Sequence, residues 1–234
     1  MKIRLDKYLA DLGYGTRKEV KKLIRSGQFV TVNDEYIRDD DYKVDTLVDD
    51  VLVNDEKLEY EEKIYIMLNK PEGYVSATID NLYPTVLDLI DVPLRREMFP
   101  VGRLDVDTTG LLIITNDGML SHKALSSKNH VEKEYYVEYE GTLVPNVTEI
   151  FENGMDIGDE KPTLPAKILL CGENKALVTL VEGRFHQVKR MIEVCGGNVV
   201  VLKRIRFGTL LLDENLELGE SRRLTQEEVD RIFD

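Results

Sequence analysis

Apolar side chains recur at helical spacing near the start of the chain. Leu5, Tyr8, Leu9 and Leu12 fall at i, i+3, i+4 and i+7, one face of a helix that Gly13 ends. After Gly15, Thr16 is suited to cap a second helix, and Glu19, three residues on, completes a capping box. Val20, Leu23 and Ile24 form its buried stripe, and Gly27 closes it. Residues 29–34 read as a strand running into a turn. Leu47, Val48, Val51, Leu52 and Val53 predict short strands, and the charged stretch 59–62 a linker. No internal repeat or low-complexity segment is visible.

Beyond Lys63 the pattern changes. Residues 64–69 form an apolar strand, Lys70-Pro71-Glu72-Gly73 a turn, and 75–77 continue the strand. A short helix over 85–90 leads to Phe99-Pro100-Val101 and a loop bounded by Gly102 and Gly110, followed by the apolar run 111–114. Helices are predicted over 118–127, 185–195 and 227–233, the second with Val188, Met191, Ile192 and Cys195 on one face. Strands are predicted at 133–139, 176–181, 199–202 (buried) and 210–212. This irregular order predicts an α+β fold: a small N-terminal α/β module, residues 1–59, then a domain over 60–234 with a mixed, mainly antiparallel sheet flanked by helices.

The 234 residues, 42% of them apolar, suffice for a sizeable core. No apolar run approaches the roughly 20 residues that span a bilayer, and Met1-Lys2-Ile3-Arg4-Leu5-Asp6 lacks the apolar core of a secretory signal. Cys171 and Cys195 belong to no C-x-x-C pair or His/Cys cluster. They read as two thiols in a reducing cytoplasm, with no metal site.

A net charge of −13 argues at first against a polyanionic partner, yet the charge is unevenly spread. Residues 1–30 carry eight basic residues (Lys2, Arg4, Lys7, Arg17, Lys18, Lys21, Lys22 and Arg25) against three acids. Residues 34–62 carry thirteen acids against three basic residues, and 184–206 six basic residues against one acid. Two basic patches on an acidic body form a nucleic-acid footprint with a repelling remainder; the plainer reading is two solvated helix faces.

The string Gly102-Arg103-Leu104-Asp105-Val106-Asp107-Thr108-Thr109-Gly110 holds the Asp105 carboxylate on a loop at a strand edge. That placement suits a nucleophile or a base, or merely a solvated turn residue. Taken alone, Arg184 has a plainer reading as a surface cation at a helix start, and Tyr135 is equally a core residue of its strand.

These segments together carry a resemblance. The G-R-L-D string resembles the catalytic motif of the pseudouridine synthases of the small-ribosomal-subunit type. Leu68-Asn69-Lys70-Pro71-Glu72-Gly73-Tyr74-Val75-Ser76 resembles their first motif, Lys133-Glu134-Tyr135 their K-x-Y strand, and Glu182-Gly183-Arg184-Phe185-His186-Gln187-Val188-Lys189-Arg190-Met191 their late motif. Arg4-Leu5-Asp6-Lys7-Tyr8-Leu9 and residues 17–27 resemble the S4 RNA-binding module. The resemblance implies that Asp105 is the essential carboxylate, as nucleophile or base, that Arg184 pairs with it, and that Tyr135 stacks on the target uracil after base flipping. Arg103 and 108–110 shape the loop, and His186 orients its surroundings rather than transferring protons. Phosphate contacts are expected from Arg4, Lys7, Arg17, Lys18, Lys21, Lys22, Arg25, Arg103, Lys189 and Arg190.

The implied reaction is isomerisation of uridine to pseudouridine without metal, nucleotide or other cofactor, by a cytoplasmic monomer acting on ribosomal RNA or an assembly particle. Residues 157–166 resemble the small-subunit enzymes more than their large-subunit relatives, which implies small-subunit (16S) ribosomal RNA as the substrate, and the family resemblance implies uridine 516 as the target. A large-subunit synthase and a non-catalytic RNA-binding assembly factor are the alternatives.

Overall fold

In the computed structural model, which describes residues 2–27, 29–92, 97–126 and 128–233, Thr16 and Glu19 cap a helix as their spacing predicts. The Glu19 amide donates to Thr16 Oγ1, and the Thr16 amide to Glu19 Oε2 at 2.8 Å. Gly27 ends the same helix in the left-handed conformation, φ +80°. By its internal contacts the chain divides into Met1–Lys63 with Asp91–Glu97, and Ile64–Ile90 with Met98–Asp234.

The first unit contains β1 (Lys2–Arg4), α1 (Leu5–Asp11), α2 (Arg17–Ser26), β2 (Val30–Val32), β3 (Glu35–Tyr36), β4 (Lys43–Asp45), β5 (Val51–Val53) and β6 (Glu56–Lys57). A repeat missed in the sequence is plain here. Val30-Thr31-Val32-Asn33-Asp34-Glu35 and Val51-Leu52-Val53-Asn54-Asp55-Glu56 each fold as a hairpin, with the Asn-Asp pair at positive φ. The two hairpins pair through β2 and β5, giving the order β3-β2-β5-β6, while β1 pairs β4. Leu5, Tyr8, Leu9, Val20 and Ile24 pack on the buried valines of this sheet. Leu47 and Val48, expected in a strand, are exposed in the turn after β4.

Basic side chains of this unit converge on two acids. Asp6 is fully buried and accepts from Arg4 Nε at 3.0 Å and from Arg17 Nη2 at 2.9 Å. Burial alone would raise its pKa, but the hydrogen bonds from Arg4 and Arg17 overcome that and hold it down at about 2. Asp40 pairs with Arg25 at 2.9 Å and Lys21 at 3.2 Å.

The second unit contains β7 (Tyr65–Lys70), a 3-10 turn (Val86–Leu89), β8 (Phe99–Pro100), β9 (Thr109–Thr115), α3 (Gly118–Leu125), β10 (Lys133–Gly141), α4 (Val147–Asn153), β11 (Lys167–Gly172), β12 (Lys175–Leu180), α5 (Gln187–Val194), β13 (Gly197–Phe207), β14 (Leu210–Leu211), β15 (Ser221–Arg223) and α6 (Gln226–Arg231). Its sheet runs β11-β12-β10-β13-β9-β7-β15, with β14 on β13 and β8 on β9. Only the β13–β9 pairing is parallel among the described ladders, so the α+β class and the mixed, mainly antiparallel sheet are as expected. At the centre, β7 and β9 are covered on both faces, and residues 111–114 are fully buried, which explains their unbroken apolar run.

Several expectations need correction. The helix over 85–90 is a single 3-10 turn. The helix expected from 185 starts at Gln187 and leaves Phe185 exposed. The buried strand 199–202 is the outer half of an eleven-residue strand whose Val200 and Val201 are exposed, and whose buried end lies at Leu202, Arg204 and Phe207. The helix expected over 118–127 ends at Leu125, and Ser127 lies outside the described residues. Both cysteines are free thiols, Cys195 buried and Cys171 exposed. Among the described residues no helix is long and apolar enough to cross a membrane.

Replacing Asp6 with Asn leaves Arg4 and Arg17 facing a neutral amide in place of their buried carboxylate and costs roughly 1–3 kcal/mol of stability at neutral pH by chemical denaturation. Because the folded carboxyl titrates at about 2, below the ordinary 3.8, the wild-type advantage is intact above about pH 4 and disappears as pH falls toward 2.

Candidate active site

The Asp105 loop is built from below by a lysine. Lys70, the last residue of β7, is fully buried. Its Nζ donates to the carbonyls of Pro71 (3.0 Å), Asp105 (3.0 Å), Val106 (3.3 Å) and Thr108 (2.9 Å). Burial lowers its pKa to about 8, against the opposing pull of Asp107 and Asp105. Ser76 adds a reciprocal clasp: its Oγ donates to Leu104 O at 2.9 Å and accepts from Leu104 N at 3.0 Å. The Gly73 amide donates to Val106 O at 2.9 Å. The segment resembling the first motif is therefore the scaffold of the G-R-L-D loop. Gly110, at φ +98°, closes that loop where β9 meets β13, because any Cβ there would overlap the Arg204 carbonyl.

Above this scaffold lies a cleft of about 490 Å³. Asp105, Arg103, Tyr135, Arg184 and His186 all line it, together with the buried cations Lys133 and Arg204. The Asp105 side chain is about 30% exposed, so it is open to a ligand. Lys189 Nζ stands 3.7 Å from Asp105 Oδ2 and makes a tighter bond, 2.6 Å, to Asp107. His186 Nε2 is also 3.7 Å from Asp105 Oδ2.

Tyr135 is buried on β10, directly across from Arg204 on β13. Lys133, two residues earlier and on the same face, donates to Val131 O at 2.9 Å; burial, and then the charge of Arg204, lower its pKa to about 8. Arg204 is only 2% exposed, and its Nε donates to Leu111 O at 2.7 Å. Its Nη2 is sealed from solvent with no hydrogen-bond acceptor. Sequence reading missed Lys70, Lys133 and Arg204. The period-2 spacing of Lys133 and Tyr135 was an available signal, whereas Arg204 comes into place only through strand register.

The pairing expected between Arg184 and Asp105 is not found. Arg184 donates to Glu182 (3.0 Å) and to the carbonyls of Lys161 (2.6 Å) and Pro162 (2.7 Å), and also pairs with Asp159. The chain turns at His186, which has a left-handed backbone (φ +50°), so Arg184 and Lys189 leave the turn in different directions. Lys189 stands where Arg184 was expected. Arg190 is also committed, to Phe185 O, Ile157 O and Asp159, so its guanidinium braces a loop rather than standing free for phosphate. Arg103 is exposed at the cleft.

The expected phosphate contacts of the first unit are similarly divided. Arg4 and Arg17 hold Asp6, Lys7 pairs with Asp11 at 2.6 Å, and Lys21 and Arg25 hold Asp40. Lys18 and Lys22 are exposed and make no ion pair among the described residues.

The RNA pseudouridylate synthase family matches residues 64–194, and the S4 domain matches residues 3–52. The chain belongs to the RNA pseudouridylate synthase family, with an S4 domain at its N-terminal end. It is 40% identical, over 98% of its length and 99% of the relative's, to a protein of Haemophilus influenzae named ribosomal small subunit pseudouridine synthase A. The protein of that name in Escherichia coli K12 is 39% identical over 97% of this chain and 98% of its own. A Bacillus subtilis protein named uncharacterized RNA pseudouridine synthase YtzG is 42% identical over 97% of both. A crystal structure of a pseudouridylate synthase superposes with a TM-score of 0.70 at 40% identity, covering 98% of this chain and 99% of that one.

Lys189→Met removes the cation facing Asp105 and lowers kcat by on the order of a hundred-fold. Arg184→Leu loosens the loop at 159–162 and acts mainly on KM. Steady-state kinetics of the two variants separate the roles.

Proposed function

We propose that this chain isomerises one uridine of small-subunit ribosomal RNA, uridine 516, to pseudouridine, with Asp105 as the reacting carboxylate and Tyr135 as the ring on which the flipped uracil stacks. The observation that carries the reading is the half-buried, solvent-accessible Asp105 carboxylate on a braced loop, in the same cleft as a buried tyrosine. The names of the full-length relatives support the small-subunit substrate.

In the reaction the bond from C1′ to N1 breaks and a bond from C1′ to C5 forms; the C5 proton leaves and N1 gains one. No electrons pass to an outside acceptor, so the isomerisation calls for no redox cofactor. Asp105 meets the nucleoside as nucleophile or base, and in either role it must be ionised. Lys189 stands 3.7 Å from that carboxylate as the facing cation. Arg184 serves the site through the loop at 159–162.

Residues 1–59 act as the RNA-binding module and 60–234 as the catalytic domain of a cytoplasmic monomer, on ribosomal RNA or an assembly particle. Lys18 and Lys22 are the cations of α2 most available to phosphates, and Arg103 lies beside the flipped nucleotide. The ion-paired Arg4, Lys7, Arg17, Lys21 and Arg25 shape that surface and add to its field.

Pseudouridine mapping in small- and large-subunit RNA, after incubation with wild type and with Asp105→Asn, tests the reading. One new site in small-subunit RNA, lost in the variant, is expected. A site in large-subunit RNA overturns the substrate. Binding without any site, on RNA and on particles alike, favours an assembly factor. Replacing Lys18 and Lys22 with Gln weakens RNA binding and reduces the slope of log affinity against log salt by roughly 1.5.

A further inference from the structure

Phe185 is the least buried aromatic ring lining the cleft. It is 75% exposed although one face is stacked on His186, with ring centroids 3.8 Å apart and planes inclined by 17°. The opposite face of Phe185 is therefore bare. An apolar ring held out in water is unfavourable, and a free loop would fold it inward.

The loop is not free. Arg190 Nη1 donates to Phe185 O at 3.0 Å, and the Arg184 amide donates to Gln187 Oε1 at 2.9 Å. Gln187 Nε2 in turn donates to Glu182 Oε1 at 2.7 Å, and the Arg184 guanidinium ties the loop to the carbonyls of Lys161 and Pro162. His186 takes the left-handed conformation, uncommon for a residue other than glycine, and this sets its ring under Phe185 while its Nε2 stays 3.7 Å from Asp105. The result is a braced two-ring stack at the rim of the Asp105 cleft, facing out.

We infer that the Phe185–His186 pair is a stacking platform for an unpaired nucleobase next to the flipped uridine; the inference rests on the RNA-modifying reading above. A flat apolar face with a bare outer side is matched by the face of a base, and such stacking tolerates any base. Flipping one nucleotide unstacks its neighbours, and a ring at the cleft rim restores to one of them the contact it has lost. The platform thus holds the RNA open while Asp105 works on the extruded nucleoside. Phe185 is a positioning residue: it touches a flanking base, not the reacting one.

The test uses the full chain and RNA oligonucleotides containing the target uridine, with 2-aminopurine on its 5′ or its 3′ side. At one of the two positions the complex with wild type is dimmer than the complex with Phe185→Ala, because the fluorophore is quenched by stacking. Phe185→Ala also raises KM about ten-fold, the fold-change expected for one lost base stack, with a smaller effect on kcat. Phe185→Tyr, which keeps the ring, restores both the quenching and KM. Equal fluorescence for wild type and Phe185→Ala at both positions, with unchanged KM, overturns the platform. Should wild type bind and quench but yield no pseudouridine, the catalytic reading fails while the platform stands.

Discussion

A buried ammonium must be given polar partners, since no water reaches it, and Lys70 has drawn four backbone carbonyls around itself. Three of those carbonyls belong to the Asp105 loop. A loop of glycines, threonines and acids has little apolar surface of its own to bury, so packing would not hold it. The charge of Lys70, supported by the Ser76 clasp, does so instead. The loop then closes on β9, whose fully buried residues 111–114 anchor it to the centre of the sheet. The position of Asp105 is thus set by a charge at the end of one central strand and by the burial of its neighbour.

The first unit uses charge differently. Its second helix carries more cations than it leaves available, because buried Asp6 and nearly buried Asp40 collect Arg4, Arg17, Lys21 and Arg25. These pairs fix the cations in a defined geometry and tie the first two helices to the chain between β3 and β4. The two hairpins with the Val-x-Val-Asn-Asp-Glu pattern give the helices a rigid bed, each turned by residues that tolerate positive φ.

Much of this was readable from residue order. The capping pair Thr16 and Glu19 acts locally, and the alternation over 133–139 reports a strand with one face on the core; both appear where expected. Reading failed where tertiary context decides. In β13, Val200 and Val201 are exposed while Arg204 is buried, the reverse of what side-chain polarity suggests, because strand register places Arg204 in the cleft wall, where Phe207 and the Leu111 carbonyl accommodate it. Arg184 and Lys189 sit in one motif, and the resemblance pointed to Arg184 as the partner of Asp105, whereas Lys189 stands there. The left-handed turn at His186 decides between them, and no spacing rule anticipates such a turn at a histidine.

The way Lys189 divides itself between two carboxylates has a chemical consequence. A guanidinium clamped across both oxygens of an aspartate keeps it charged but occupies the lone pairs that would attack a substrate. Lys189 makes its short bond to Asp107 and stands at 3.7 Å from Asp105. Asp105 therefore keeps its oxygens clear of a short bond to that cation and open to a ligand in the cleft. Asp107, two residues along the same loop, serves as the mooring for a cation that works on its neighbour.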